Sequence, residues 1–432
     1  MFIDELHFPI ENIIFPVGQG GLFLGLIKYR ESNLRTKTFA YIYDCGNIQQ
    51  PYLKKSINNL INILKITNEI SPLTHIYIFI SHVHNDHISG LKILKQKLEK
   101  CKFNLHSTPV LVMPYMDAVE KNLIIGLDIL YKRYTGILTD PESYFGGYFD
   151  IQYVTDEQEN SEFINTKAPM EYYYGYLIPK TTNNNDASKI KTFSHNQSFR
   201  FAIHYGLWIL KPFYYRMNIP NDLQERLQQN GYKSIYDINF DNINNQLKNE
   251  LKGKLNLSSL CLYSGHLDYC NIGGWMHTGD FSFKHKKAFE KFQTHYDSVL
   301  NNVQILQIPH HGSENNSSNE IFKIFPSLTN KYVTIQKNPI GRQQPKLSPE
   351  YINNKDIYCA TENSTIMRYY MIYNSMWAIC LAHLFKPLAI KPHDWWAFIH
   401  SLLLWKRIFV LYLHSFLPAI LRKNCQFLKC LQ

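Results

Sequence analysis

Ser81-His82-Val83-His84-Asn85-Asp86-His87 places three imidazoles and a carboxylate within six residues, directly behind the apolar run Thr74-His75-Ile76-Tyr77-Ile78-Phe79-Ile80. The run reads as a buried strand, and the cluster as metal ligands at its end. His82 and His84 lie two apart, so an extended backbone points both to the same side. Asp86 and His87 follow where the chain turns toward a helix opened by Gly90. Two ligand pairs then face one another. A desolvated carboxylate among several imidazoles needs charge compensation, and a divalent metal supplies it. A lone histidine in a strand is ordinarily core or surface; this spacing of four ligand residues is neither.

Working outward toward the amino terminus, Leu53 to Leu64 carries apolar residues at helical spacing. Leu22 to Tyr29 and Phe39 to Tyr43 read as paired strands around the polar turn Arg30-Glu31-Ser32-Asn33, the second ending at Asp44-Cys45-Gly46. Val17-Gly18-Gln19-Gly20-Gly21 is a glycine-rich turn, without the Gly-Lys-Ser/Thr of a phosphate loop. Toward the carboxyl terminus, Leu91 to Leu98 is the next helix, Thr108 to Pro114 a further strand, and a helix begins near Asp117. The pattern then loosens over an insertion at about 140–255. It contains the aromatic cluster Tyr172-Tyr173-Tyr174, the polar run Thr181 to Asp186, and a hairpin of Ser198 to Tyr205 with Leu207 to Phe213 turning at Gly206. Leu223 to Gln229 and Asn242 to Leu251 read as helices of a lid or surface insertion.

Strand ends with ligand chemistry return later. Leu260 to Tyr263 and Trp275 to Thr278 are apolar strands joined by a polar hairpin and followed by Gly279-Asp280. Val303 to Ile308 is another buried strand, ending at Pro309-His310-His311-Gly312-Ser313. If the three ends converge, His82, His84, Asp86, His87, Asp280 and one of His310 or His311 supply two adjacent metal positions bridged by Asp280.

A chain of 432 residues with 45% hydrophobic content buries a large core and exceeds the usual size of one domain. The cysteines are scattered without Cys-x-x-Cys pairs, which argues against a zinc ribbon or a disulfide framework and suits a reducing compartment. Met1 to Glu11 has no apolar signal region, so a cytoplasmic location is expected. Of the +10 formal charge, much falls in residues 371–432, where seven Lys and Arg stand against Asp394 alone. The remainder is too mild to identify nucleic acid by itself. That tail also holds Trp377, Trp395, Trp396 and Trp405. Its apolar runs, Trp395 to Trp405 and Ile408 to Leu421, fall short of a membrane span. A membrane-interfacial helix and a non-native tail are the two readings of it.

His82-Val83-His84-Asn85-Asp86-His87, Thr278-Gly279-Asp280 and Pro309-His310-His311-Gly312-Ser313 together resemble, in order and character, the motifs of the metallo-β-lactamase superfamily. In particular they are similar to the hydrolase domain of bacterial competence DNA-uptake channel proteins, as are Val17-Gly18-Gln19-Gly20, Asp44-Cys45-Gly46 and Asn256 with Ser258-Ser259. The resemblance implies an α+β fold, a four-layer αββα sandwich over residues 1–370, with metals at one edge between two mixed sheets. It implies two divalent ions, zinc foremost with manganese also compatible, and a bridging hydroxide as nucleophile. His82 and His84 are assigned to one ion, Asp86, His87 and His311 to the other, and Asp280 to both. The catalytic pair is Asp86 and His310, with His310, Ser313 and Asn256 toward substrate; His310 and His311 are interchangeable in this assignment. A phosphodiester, DNA or RNA, is the expected substrate. A lactonase or thioesterase of the same fold and an inactive binding module are the alternatives. The family's third-motif histidine has no match beyond the positional candidates His195, His204, His266 and His277. The later Gly-His-Pro is replaced by Asn338-Pro339-Ile340-Gly341-Arg342-Gln343-Gln344-Pro345.

Overall fold

The computed structural model describes residues 10–30, 35–116, 120–121, 124, 134–156, 192–195, 198–203, 206–216, 258–267, 273–314, 316, 320–335 and 357–371. They belong to the first of two units into which the chain divides, Met1–Ala378. The second, Ile379–Gln432, lies outside the described residues, and with it nearly all of the tail to which an interfacial or non-native character was assigned. Among the described residues no helix is long and apolar enough to cross a membrane.

Strands β1 (Ile10–Ile14), β2 (Gly20–Arg30), β3 (Thr36–Asn47), β4 (Leu73–Phe79), β5 (Val110–Pro114), β6 (Asp150–Thr155), β7 (Thr192–Ser194) and β15 (Met367–Met371) form one sheet. Its order is β15-β1-β2-β3-β4-β5-β6-β7. Strands β3 to β7 run parallel to one another, while β15, β1, β2 and β3 pair antiparallel. The second sheet contains β8 (Phe199–Ile203), β9 (Gly206–Phe213), β10 (Cys261–His266), β11 (Gly274–His277), β12 (Val303–Gln307), β13 (Asn330–Thr334) and β14 (Ile357–Ala360). It is ordered β14-β13-β12-β11-β10-β9-β8, with the first four of these parallel.

The period-two alternation of these strands decides the layering. Phe39, Tyr41 and Tyr43 of β3 and Phe79 of β4 join Trp208, Leu262, Trp275 and Tyr332 of the second sheet in an aromatic core between the sheets. Their neighbours Ala40, Ile42 and Ile78 face the opposite way. There they pack under helices α1 (Gln50–Ile70) and α3 (Leu91–Cys101), through Leu53, Ile57, Leu60, Leu94 and Leu98. Between these two helices α2 (Asn85–Ile88) is a single turn. On the other side Tyr263, Met276 and Leu306 pack against Ala288, Phe292 and Tyr296 of α4 (Lys286–Tyr296). The result is the αββα sandwich expected from the sequence.

The stretch assigned to an insertion differs in part from that expectation. Strands β6 to β9 lie within it and extend both sheets, with β8 and β9 forming the expected hairpin, Ile203 opposite Gly206. Short aromatic strands of this kind lack the clean alternation that marks β2 or β3. The two helices assigned to residues 223–229 and 242–251 lie outside the described residues.

His277 sits in the aromatic core, its imidazole stacked between Tyr43 (centroids 4.6 Å apart) and Trp275 (4.5 Å). Burial pushes its pKa well below the usual histidine value. The native state therefore refuses a proton that the unfolded chain takes up near pH 6.5. Its contribution to stability is complete above that pH and is lost as pH falls, at about 1.4 kcal/mol per pH unit. His295 acts in the same direction, pushed down to about 2 by burial and then by Lys211 and His195. Urea midpoints are expected to fall between about pH 7.5 and about pH 5, and His277→Leu to make that fall shallower by one proton. Equal slopes in the two proteins would refute the assignment.

Candidate metal centre

The parallel strands of both sheets deliver their carboxyl ends to one edge, and the ligand-type residues lie there. Asp44 is near the end of β3, Ser81 and His82 just past β4, Asp280 past β11, and His310 and His311 past β12. His84 is still extended (φ −102°, ψ 156°), and the chain then turns into α2, which carries Asp86 and His87. Close packing makes this crossing possible. A Cβ on Gly46 would lie 2.3 Å from the Asp86 carbonyl oxygen, and one on Gly279 would lie 2.5 Å from the Ser81 Cβ.

Six of the sequence-derived residues are brought together as two trios. The donor atoms of His82, His84 and Asp280 lie within 4.8 Å of one another, as do those of Asp86, His87 and His311. Asp280 stands between the trios: one carboxylate oxygen is 3.4 Å from His82 Nε2, the other 3.4 Å from His87 Nε2. In the second trio, His311 Nε2 is 3.2 Å from an Asp86 oxygen. His310 is placed differently from its neighbour, with Nε2 3.5 Å from Asp280 and the side chain 23% exposed. Both histidines, and Gly312 after them, have left-handed backbones (φ 48°, 53° and 74°), so the turn splays the adjacent imidazoles to different positions. For a histidine that conformation costs about 1–2 kcal/mol, a strain that the surrounding packing sustains.

The orientation of the imidazoles is set from behind by residues to which sequence reasoning gave no role. Asp44 is fully buried, with a left-handed backbone (φ 57°). It accepts from the Ser81 amide (2.7 Å), the Ser81 hydroxyl (2.9 Å) and His87 Nδ1 (2.8 Å). The Ser81 hydroxyl, its proton committed to Asp44, can accept from His82 Nδ1 at 3.0 Å. His311 Nδ1 donates to the Thr334 carbonyl at 2.9 Å. In all three rings Nδ1 faces an acceptor, which leaves Nε2 as the nitrogen aimed into the site, the orientation in which histidine binds metal once Nε2 is unprotonated. The tripeptide Asp44-Cys45-Gly46 was the one available signal for this support.

His82 Nε2, His84 Nε2, His87 Nε2 and Asp280 Oδ1 are all buried without a hydrogen-bond partner. Each such orphan costs about 1–3 kcal/mol. Four that converge across two trios of N and O donors fit divalent cations. The charges agree with this. Burial alone would raise the carboxyls of Asp86 and Asp280. The imidazoles of His87 and His311 reverse this for Asp86, and those of His310, His82 and His87 for Asp280. Both carboxyls are thereby held below the carboxylate range. Burial keeps His82 and His84 below the ordinary histidine value. His87 is the reverse case: burial would push it down, but Asp44, Asp86 and Asp280 hold it well above. An ion entering the second trio must displace a proton, whereas one entering the first meets neutral rings.

No protein-family model and no curated protein matches the chain. Among solved structures it is similar to a long form RNase Z from yeast, with 11% identity and a TM-score of 0.34, over 88% of this chain and 43% of that one. It therefore spans less than half of that RNase Z chain. Unliganded yeast PDE1 is similar at 12% identity and a TM-score of 0.38, over 84% and 100% of the two chains. The metallo-β-lactamase MIM-1 from Novosphingobium pentaromativorans gives 11% and 0.27, over 74% and 82%.

Of the positional candidates for a third histidine, the three among the described residues do not join the trios. His195 bonds the Tyr214 carbonyl through Nδ1 (2.9 Å), His266 packs on Trp208, and His277 is enclosed in the core. His204 and Asn256 lie outside the described residues. Ser313 is buried beneath the His310-His311 turn, where its amide bonds the His310 carbonyl at 2.9 Å.

Proposed function

We propose that the chain is a two-ion, metal-dependent hydrolase of the metallo-β-lactamase type, acting on phosphodiesters and most suitably on DNA or RNA. The observation that carries this reading is the pair of donor trios, with Asp280 of the first reaching His87 of the second and with Nε2 of His82, His84 and His87 buried and without hydrogen-bond partners. His82, His84 and Asp280 would hold one ion, and Asp86, His87 and His311 the other. Such ions supply Lewis-acid polarisation of a phosphoryl oxygen and a nucleophile at neutral pH. The imidazole and carboxylate donors suit zinc and admit manganese.

The protein's own contribution is positioning. Asp44, Ser81 and Thr334 fix the ring orientations, and the sandwich edge keeps the donors out of bulk water. His310, beside Asp280 yet 23% exposed, is suited to face substrate and stabilise charge on a phosphoryl oxygen or leaving group. The sequence resemblance to DNA-uptake hydrolases supports a nucleic-acid substrate over a lactone or thioester.

Metal analysis followed by assay on bis-p-nitrophenyl phosphate, labelled DNA and RNA, and a lactone, thioester and lactam panel tests the reading. Close to two ions per chain and turnover of phosphodiesters are expected. Turnover confined to the carbonyl substrates would shift the assignment to the lactonase or thioesterase class. Absence of both metal and turnover would leave a binding module.

A further inference from the structure

Beside the first trio lies a cavity of about 20 Å³, enough for one water, lined by His82, His84, Glu120 and Ser258 and walled by apolar groups including Met116 and Ile124. Two of its polar groups have no part in the trios. The Ser258 side chain is buried (8% exposed) and its hydroxyl has no hydrogen-bond partner. Glu120 is 2% exposed, with Arg216 Nε 3.8 Å from one carboxylate oxygen. Arg216 is in turn placed over the Tyr115 ring, 6.0 Å from its centroid. A buried carboxylate is retained in charged form only with such a partner.

These residues come from different parts of the fold. Glu120 follows β5 of the first sheet, Ser258 lies ahead of β10 of the second with Ser259 and Leu260 between, and both line the same cavity as His84. The first trio offers three protein donors, two imidazoles and a carboxylate, and no further histidine among the described residues joins it. An orphaned hydroxyl and an anchored carboxylate facing a water-sized space next to those donors are the requirements for an ordered water.

We propose that Glu120 and Ser258 hold a water in this cavity and thereby give the His82, His84 and Asp280 site an additional oxygen donor and a nearby negative charge. Glu120 is a positioning residue here, acting on the site through the water. The inference rests on the two-ion reading above. An oxygen donor and an added negative charge favour harder ions, so the effect is larger for manganese than for zinc.

Stepwise titration of the metal-free full chain with Mn²⁺, and separately with Zn²⁺, tests this without recourse to activity. His84→Ala identifies which step belongs to the first trio. Glu120→Gln is expected to weaken that step for Mn²⁺ by at least about tenfold, and Ser258→Ala to weaken it in the same direction by less. The step of the Asp86, His87 and His311 trio should stay unchanged in both. Because Glu120→Gln leaves Arg216 without its carboxylate, the double variant Glu120→Gln/Arg216→Met is measured beside it. Recovery of stability without recovery of affinity is the expected result. Two bound ions with an unaltered first step in the Glu120→Gln variant would overturn the proposal alone, as would equal weakening of both steps. A wild-type chain that takes up no ion would overturn both it and the two-ion reading.

Discussion

Asp280→Asn is expected to lose bound metal at both trios and to lower phosphodiester hydrolysis by roughly a thousandfold, about 4 kcal/mol of transition-state stabilisation. The size follows from position. One carboxylate lies within 3.4–3.5 Å of His82, His87 and His310, so a single change removes the negative charge that three imidazoles face. The substitution keeps the shape of the side chain. Its backbone supports, the Ser259 hydroxyl at the amide (3.2 Å) and Asn316 at the carbonyl (3.2 Å), are also untouched. A loss of fold should therefore not accompany the loss of metal, and circular dichroism of the variant checks that separately. Asp86→Ala is the informative comparison, because Asp86 belongs to the second trio, beside His311 and His87. It should reduce metal content by one ion while sparing the other. An Asp280→Asn variant that retains two ions and full turnover would remove Asp280 from the bridging position.

What could be read from the sequence, and what could not, divides along distance in the chain. The strands β2, β3 and β4 announce themselves by alternation or by an unbroken apolar run. The ligand-type residues sit at strand ends, where local spacing already restricts them to one side. His82, His84, Asp86 and His87 are thus legible within six residues. Asp280 and the His310-His311 pair needed only the assumption that parallel strand ends converge. The choice between His310 and His311 needed more: it turns on consecutive left-handed residues, and nothing in the local pattern marks which imidazole a strained turn sends inward. Strand β15 closes the first sheet by pairing Arg368 with Ile13, and no periodicity in either segment names its partner. Asp44 is the sharpest case. A lone acid after an apolar strand reads as a turn residue, whereas its acceptor role is created by groups 37 and 43 residues away.

That support carries the second large effect. Asp44→Ala is expected to destabilise the metal-free protein by about 3–5 kcal/mol, because it takes from a buried imidazole the nearest of the three carboxylates it faces and strips acceptors from the Ser81 amide and hydroxyl. Two further variants separate this loss from backbone strain. Asp44 has φ 57°, a conformation that glycine adopts freely and asparagine tolerates. Asp44→Gly relieves the strain yet removes every acceptor, so it should be nearly as unstable as Asp44→Ala if the hydrogen bonds dominate. Asp44→Asn keeps the backbone preference and one acceptor oxygen but not the charge, and should recover part of the stability. Its deficit should then appear in metal binding, with affinity at the His87 site reduced by about 10–100-fold, since a neutral amide no longer fixes the ring with Nε2 facing the ion. Urea unfolding of the metal-free variants and chelator competition on the metal-loaded ones measure the two effects independently. Should Asp44→Gly match the wild type in stability, strain rather than hydrogen bonding would be the larger contribution at this position. Should Asp44→Asn bind metal as tightly as the wild type, the orientation of His87 would have to come from packing alone.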